Sequence, residues 1–186
     1  MLGGAYDCVG RFGMAKTTID DVARASGVSR ATIYRLFPGG REELLRATVG
    51  WEMNHFFTRL AEAVADAPDL EHRLEQGLAF ARRSVLEHDV LQRVLQSEPE
   101  MLLPLMTVEQ HRVLRFITAY LRPLLDVEAA AGRLEPGLDL DAAADHLARM
   151  LLSLIGSPGR WDLGDPAAVR TLVREELLAG VVVRFD

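Results

Sequence analysis

A single cysteine, Cys8, stands in a chain of 186 residues, which leaves no partner for an intramolecular disulfide and too few thiols for a cysteine-rich zinc site. That usage suits a reducing compartment. Aromatic residues make up 6% of the chain against 49% apolar residues overall, so its core must come mainly from Ala, Leu and Val. No strand-like alternation competes with helical spacing. No apolar run reaches the roughly 20 residues that span a bilayer, and no charged segment followed by an apolar run opens the chain. A soluble, cytoplasmic protein is expected. The five histidines, at 55, 72, 88, 111 and 146, include no pair at i, i+4, and neither a nucleophile elbow nor a dinucleotide glycine pattern occurs. No metal, cofactor or enzymatic site is therefore expected. Residues 10–17 come near a phosphate loop, but Ala15 stands where the glycine before lysine belongs, and a helix rather than a strand precedes it. Repeats and low-complexity tracts are absent too.

What is present concentrates in residues 18–37. Thr18, followed three residues later by Asp21, reads as a helix start with a shortened capping box; Ile19, Val22, Ala23 and Ser26 then fall on one face. Gly27 ends that helix where a sharp turn requires positive φ, and Val28 can plug the gap beyond it. Ser29 opens a second helix whose Ile33, Leu36 and Phe37 are expected inward. Arg30, Ala31, Thr32, Tyr34 and Arg35 are left outside. Cys8 shares a stripe with Ala5, Val9 and Phe12 and reads as a small core residue.

Two short helices joined by a glycine turn form the helix-turn-helix unit, whose second helix enters the major groove by its first turn. Arg30, Ala31 and Thr32 would then lie nearest the bases. An arginine can pair bidentately with guanine, and Thr32 or Ala31 can meet a thymine methyl. Thr18, Ser29, Tyr34 and Arg41 suit phosphates, since hydroxyls, a cation and helix N-termini favour anions. Individually, Thr18 and Ser29 would serve equally as plain caps and Tyr34 as a half-buried aromatic. An all-helical adaptor binding protein through the same helices is the alternative.

At these residues the chain resembles the tetracycline-repressor (TetR-like) family of bacterial regulators, through Thr17-Thr18-Ile19, Val22-Ala23, Gly27-Val28-Ser29, Thr32-Ile33-Tyr34 and Phe37, and on through Arg41-Glu42-Glu43-Leu44-Leu45. The resemblance implies an all-α fold: a three-helix DNA-binding head over residues 1–48 and an effector-binding, dimerising helical body over residues 49–186. It places groove contacts on Arg30, Ala31 and Thr32 and phosphate contacts on Thr18, Ser29, Tyr34 and Arg41, with Thr17 and Arg35 completing the candidate set. Two departures stand out. The basic arm that precedes the first helix in most of the family is missing before Met1–Phe12, and Pro38-Gly39-Gly40 lengthens the loop before Arg41, which takes the place of the family's lysine.

Charge is unevenly spread. Residues 1–48 hold seven Lys/Arg and five Asp/Glu, net +2, and residues 49–186 hold 14 and 22, net −8, which sum to the overall −6. Nucleic-acid binding depends on the local field, so an acidic average does not exclude it.

Beyond the head, helices are expected over residues 41 to about 65, 70 to about 96, a short Met-rich one between Pro99 and Pro104, 107 to about 131 with a kink at Pro123, 139–155, and 166 to about 183. In the last two, Leu147, Met150, Leu151, Leu154, Val169, Leu172, Val173 and Leu177 are apolar on more than one face and read as a homodimer interface, as the resemblance implies. The same excess would also serve a monomer's own core. Trp51, Phe57, Phe80, Met101, Met106, Phe116 and Tyr120, with His111 and His146 as polar handles, are candidates for a pocket taking a small apolar or amphipathic effector. Most of them would serve equally as plain core.

Overall fold

Local capping decides where most helices begin. A computed structural model describes residues 1–182, the side chains of residues 108 and 109 excepted. Its helices are α1 (Leu2–Phe12), α2 (Ile19–Ser26), α3 (Arg30–Leu36), α4 (Gly40–Ala63), α5 (Leu70–Leu86), α6 (Asp89–Ser97), α7 (Pro99–Ala130), α8 (Leu140–Gly156) and α9 (Pro166–Leu172). A π-helical turn, Val173–Leu177, follows α9. Among the described residues there is no strand, only an isolated antiparallel bridge between Leu134 and Val182. The all-α class expected of the sequence is the one found, and no described helix is long and apolar enough to cross a membrane.

Three expected boundaries are corrected. The helix expected over residues 70–96 is two helices, because His88 caps α6: its Nδ1 accepts from the backbone N–H of Leu91 at 3.0 Å. Gln92 Nε2 donates to the Val85 carbonyl at 2.7 Å, closing the break. The short helix expected between Pro99 and Pro104 and the one expected from residue 107 are a single helix, α7. Pro99 stands at its first position, where the N–H has no helical partner. Pro104 forfeits the bond to Glu100 and Pro123 that to Ala119, and the helix continues through both. The helix expected from residue 166 to Val183 ends at Leu172 and widens into the π turn, with the Leu178 N–H donating to the Val173 carbonyl at 2.9 Å. Val173, Leu177 and Leu178 are thereby all buried. Val183 itself lies outside the described residues.

Two compact units share the chain. The first takes residues Met1–Arg59 and Val85–Glu109, the second Leu60–Ser84 and everything from Gln110 onward. The boundary expected at residue 48 falls inside α4. In the first unit Ala5, Cys8, Ile19, Val22, Ile33 and Leu44 form one apolar cluster and Val9, Met14, Leu45, Val94 and Leu102 another. In the second, Leu70, Leu74 and Leu78 of α5 and Leu121 and Leu125 of α7 pack with α8, α9 and the π turn.

Candidate nucleic-acid interface

The capping box forms as expected. Thr18 Oγ1 accepts from the Asp21 N–H at 3.1 Å, the Asp21 carboxylate accepts from the Thr18 N–H at 3.1 Å, and the Thr18 hydroxyl donates to the same carboxylate at 2.5 Å. Those bonds, the hydroxyl's first, hold the Asp21 carboxyl below the usual aspartate range. Gly27 closes α2 in the left-handed region at φ 67°, ψ 14°. Ser29 Oγ accepts from the Thr32 N–H at 3.2 Å and so starts α3.

The outer face of α3 carries what the spacing assigned to it. Arg30, Ala31, Tyr34 and Arg35 are exposed and Thr32 half-buried, while Ile33 is wholly buried. Tyr34 lies over Gly40 at the start of α4, where an added Cβ would stand 3.6 Å from its ring. Two apolar residues are corrected. Leu36, expected inward, is 52% exposed, since it lies about 60° round the helix from Ile33 and a seven-residue α3 buries a single stripe. Phe12, expected on the core stripe with Cys8, is 44% exposed, with the Arg11 guanidinium 5.5 Å from its ring.

Thr17 and Arg41 both bond to backbone carbonyls. Thr17 is 2% exposed, and its hydroxyl donates to the Gly13 carbonyl at 2.7 Å. Arg41 Nε donates to the Thr17 carbonyl at 2.7 Å and Nη2 to that of Ala15 at 2.9 Å and to that of Met14. These bonds tie the loop before α2 to α4, and Arg41 remains half-buried. Two exposed groups that the motif did not single out stand nearby. Lys16, the chain's single lysine, borders a shallow groove with Arg11, Phe12 and Asp21, and Asp20 pairs with Arg30. Lys16 stands directly before the Thr17-Thr18 pair, a position that could have flagged it.

The effector candidates are not gathered within either unit. Trp51, Phe57, Met101 and Met106 belong to the first; Phe80, His111, Phe116, Tyr120 and His146 belong to the second. Trp51 stacks edgewise on His55 at 4.1 Å, Tyr120 packs on the second unit's core with its hydroxyl 3.3 Å from Arg73, and Met106, Phe116, His111 and His146 are exposed. Of the expected interface residues, Leu147, Leu154, Val169, Leu172, Val173 and Leu177 are buried within the second unit itself. They share that unit's core cluster with residues of α5 and α7. Met150 and Leu151 are half-buried and keep surface.

An all-helical chain whose head is a doubly capped pair of helices about a left-handed glycine falls in the class of helix-turn-helix proteins. Residues 2–48 match the family model of bacterial regulatory proteins of the tetR family. Uncharacterized HTH-type transcriptional regulators of Mycobacterium bovis and Mycobacterium tuberculosis are 32% identical over 98 residues, 53% of this chain and 49% of each relative. The chain thus matches about half the length of these curated relatives. Among solved structures, the TetR family repressor AlkX of a Dietzia strain, implicated in biodegradation of n-alkanes, is similar over 98% of this chain and 97% of its own, at 26% identity and TM-score 0.62. A TetR-family regulator structure from Mesorhizobium loti, at 17% identity, covers 98% of this chain and 95% of its own with TM-score 0.66, which shows the fold. The head, residues 2–48, thus carries the signature of the tetR family of bacterial regulatory proteins, and the fold is the one seen in solved TetR-family structures.

Proposed function

We propose that the chain is a ligand-responsive transcriptional regulator that binds a near-palindromic DNA operator as a homodimer, represses there, and is released by a small apolar or amphipathic effector. The observation that carries this reading is the outward polar face of α3, Arg30, Ala31, Thr32, Tyr34 and Arg35, set against a wholly buried Ile33. In the proposal, Arg30 reads guanine, Thr32 and Ala31 meet base edges, and Thr18, Ser29 and Tyr34 hold phosphates, with Arg35 beside them. Arg41 supports the interface from within. AlkX, with its link to n-alkanes, favours an apolar effector class.

Selection of bound sequences from random duplexes tests the reading. The expected product is a two-fold symmetric site whose half-sites lie about one DNA turn, roughly 34–36 Å, apart. Absence of any enriched sequence would overturn DNA recognition, and an unsymmetric one would overturn the dimer. Operator affinity that stayed flat across a broad lipophilic library would overturn the effector.

A further inference from the structure

We infer that Asp20 is a positioning residue for base reading, holding the Arg30 guanidinium so that its two terminal amino groups are presented together to one guanine. The inference rests on the proposed reading of Arg30 and deepens it. Asp20 is the second residue of α2 and Arg30 the first of α3, so the turn at Gly27 brings the two side chains to one place. Arg30 Nε lies 3.0 Å from Asp20 Oδ1, and the side chains remain 61% and 55% exposed. The pair therefore sits on the surface that carries the outer residues of α3.

A stability role explains this placement poorly, because an ion pair so exposed contributes little to folding. A carboxylate on a surface that meets a polyanion is also repelled by it. Its neighbour Asp21 is fully occupied by the Thr18 cap and by Arg24 at 3.4 Å, so the two adjacent acids have separate work. Engagement through Nε leaves both terminal amino groups of Arg30, which no other described residue takes, and these are the donors that match O6 and N7 of guanine. An unheld arginine at the groove edge swings readily to phosphate and loses discrimination. A held one has already given up that freedom before DNA arrives.

The test uses the full chain, the duplex obtained by selection, and the variants Asp20→Ala, Asp20→Asn and Arg30→Ala. Competition binding is measured against duplexes altered one base pair at a time and against an unrelated duplex. Asp20→Ala is expected to cut discrimination at the Arg30-dependent guanine by about threefold to tenfold, to raise affinity for the unrelated duplex, and to leave the unfolding midpoint in place. Asp20→Asn, which keeps an oxygen acceptor, should retain part of the discrimination. Unchanged discrimination in Asp20→Ala, or an equal gain of affinity on every duplex, overturns the inference. If Arg30→Ala keeps the guanine preference, the underlying reading of Arg30 fails instead; if Arg30→Ala loses it while Asp20→Ala does not, the positioning role alone fails.

Discussion

Arg41 Nε donates to the carbonyl oxygen of Thr17 at 2.7 Å, across 24 positions of sequence. Two further carbonyls, of Ala15 and Met14, accept from the same guanidinium. Since three carbonyls need a forked donor, Arg41→Ala should lower the stability of the head by about 2 kcal/mol and Arg41→Lys should restore little of it. Urea unfolding reads the loss. The dependence of DNA affinity on salt should keep its slope, which would shallow by about 0.9 if Arg41 neutralised a phosphate.

Thr18→Ala removes the acceptor for the Asp21 N–H and should cost about 1 kcal/mol, measured by thermal unfolding. Acid should act on the same cap. The Asp21 carboxyl binds protons more weakly folded than unfolded, chiefly through the Thr18 hydroxyl, so its contribution is present above an unfolded value of about 3.9 and lost as pH falls through the lower folded one. Asp21→Asn should flatten that acid limb of the stability profile; a limb unchanged in the variant would assign it elsewhere.

At Gly27 the left-handed backbone, φ 67°, is the sole obstacle to a side chain, since nothing lies within 4 Å of an added Cβ. Gly27→Ala should therefore cost about 1–2 kcal/mol. Gly27→Asn, which visits that region more readily, should cost less. Equal losses would point to packing instead of backbone strain.

Leu172 is fully buried in the second unit. Leu172→Ala should destabilise the protein by about 2–5 kcal/mol, and the difference from the parent chain should hold over a hundredfold range of protein concentration. A concentration-dependent difference would place this residue at a subunit interface. Met150→Arg, on surface that α8 retains, should instead shift the association state seen in sedimentation.

The head was legible because its signals are short-range. A cap, a capping box and a positive-φ turn are each decided within about four residues, so Thr18, Asp21, Gly27 and Ser29 could be assigned before any fold was known. The break at His88 was hidden because histidine is an unusual cap, and the continuity of α7 because Pro104 and Pro123 read as breakers yet lie inside a helix that continues past both. Leu36 misled because helical spacing marks a stripe without saying how wide the neighbours make it.

The order of residues by itself determined an all-helical chain, the turn between α2 and α3, and which side of α3 is polar, since these depend on spacing and on backbone groups a few positions apart. Tertiary packing alone decided that Thr17 is buried and Arg41 bonds to its carbonyl, that Leu147, Leu172 and Leu177 are enclosed by their own unit, and that Asp20 meets Arg30. Each of those outcomes depends on which distant acceptor or apolar surface reaches the residue first, and no local period encodes that distance.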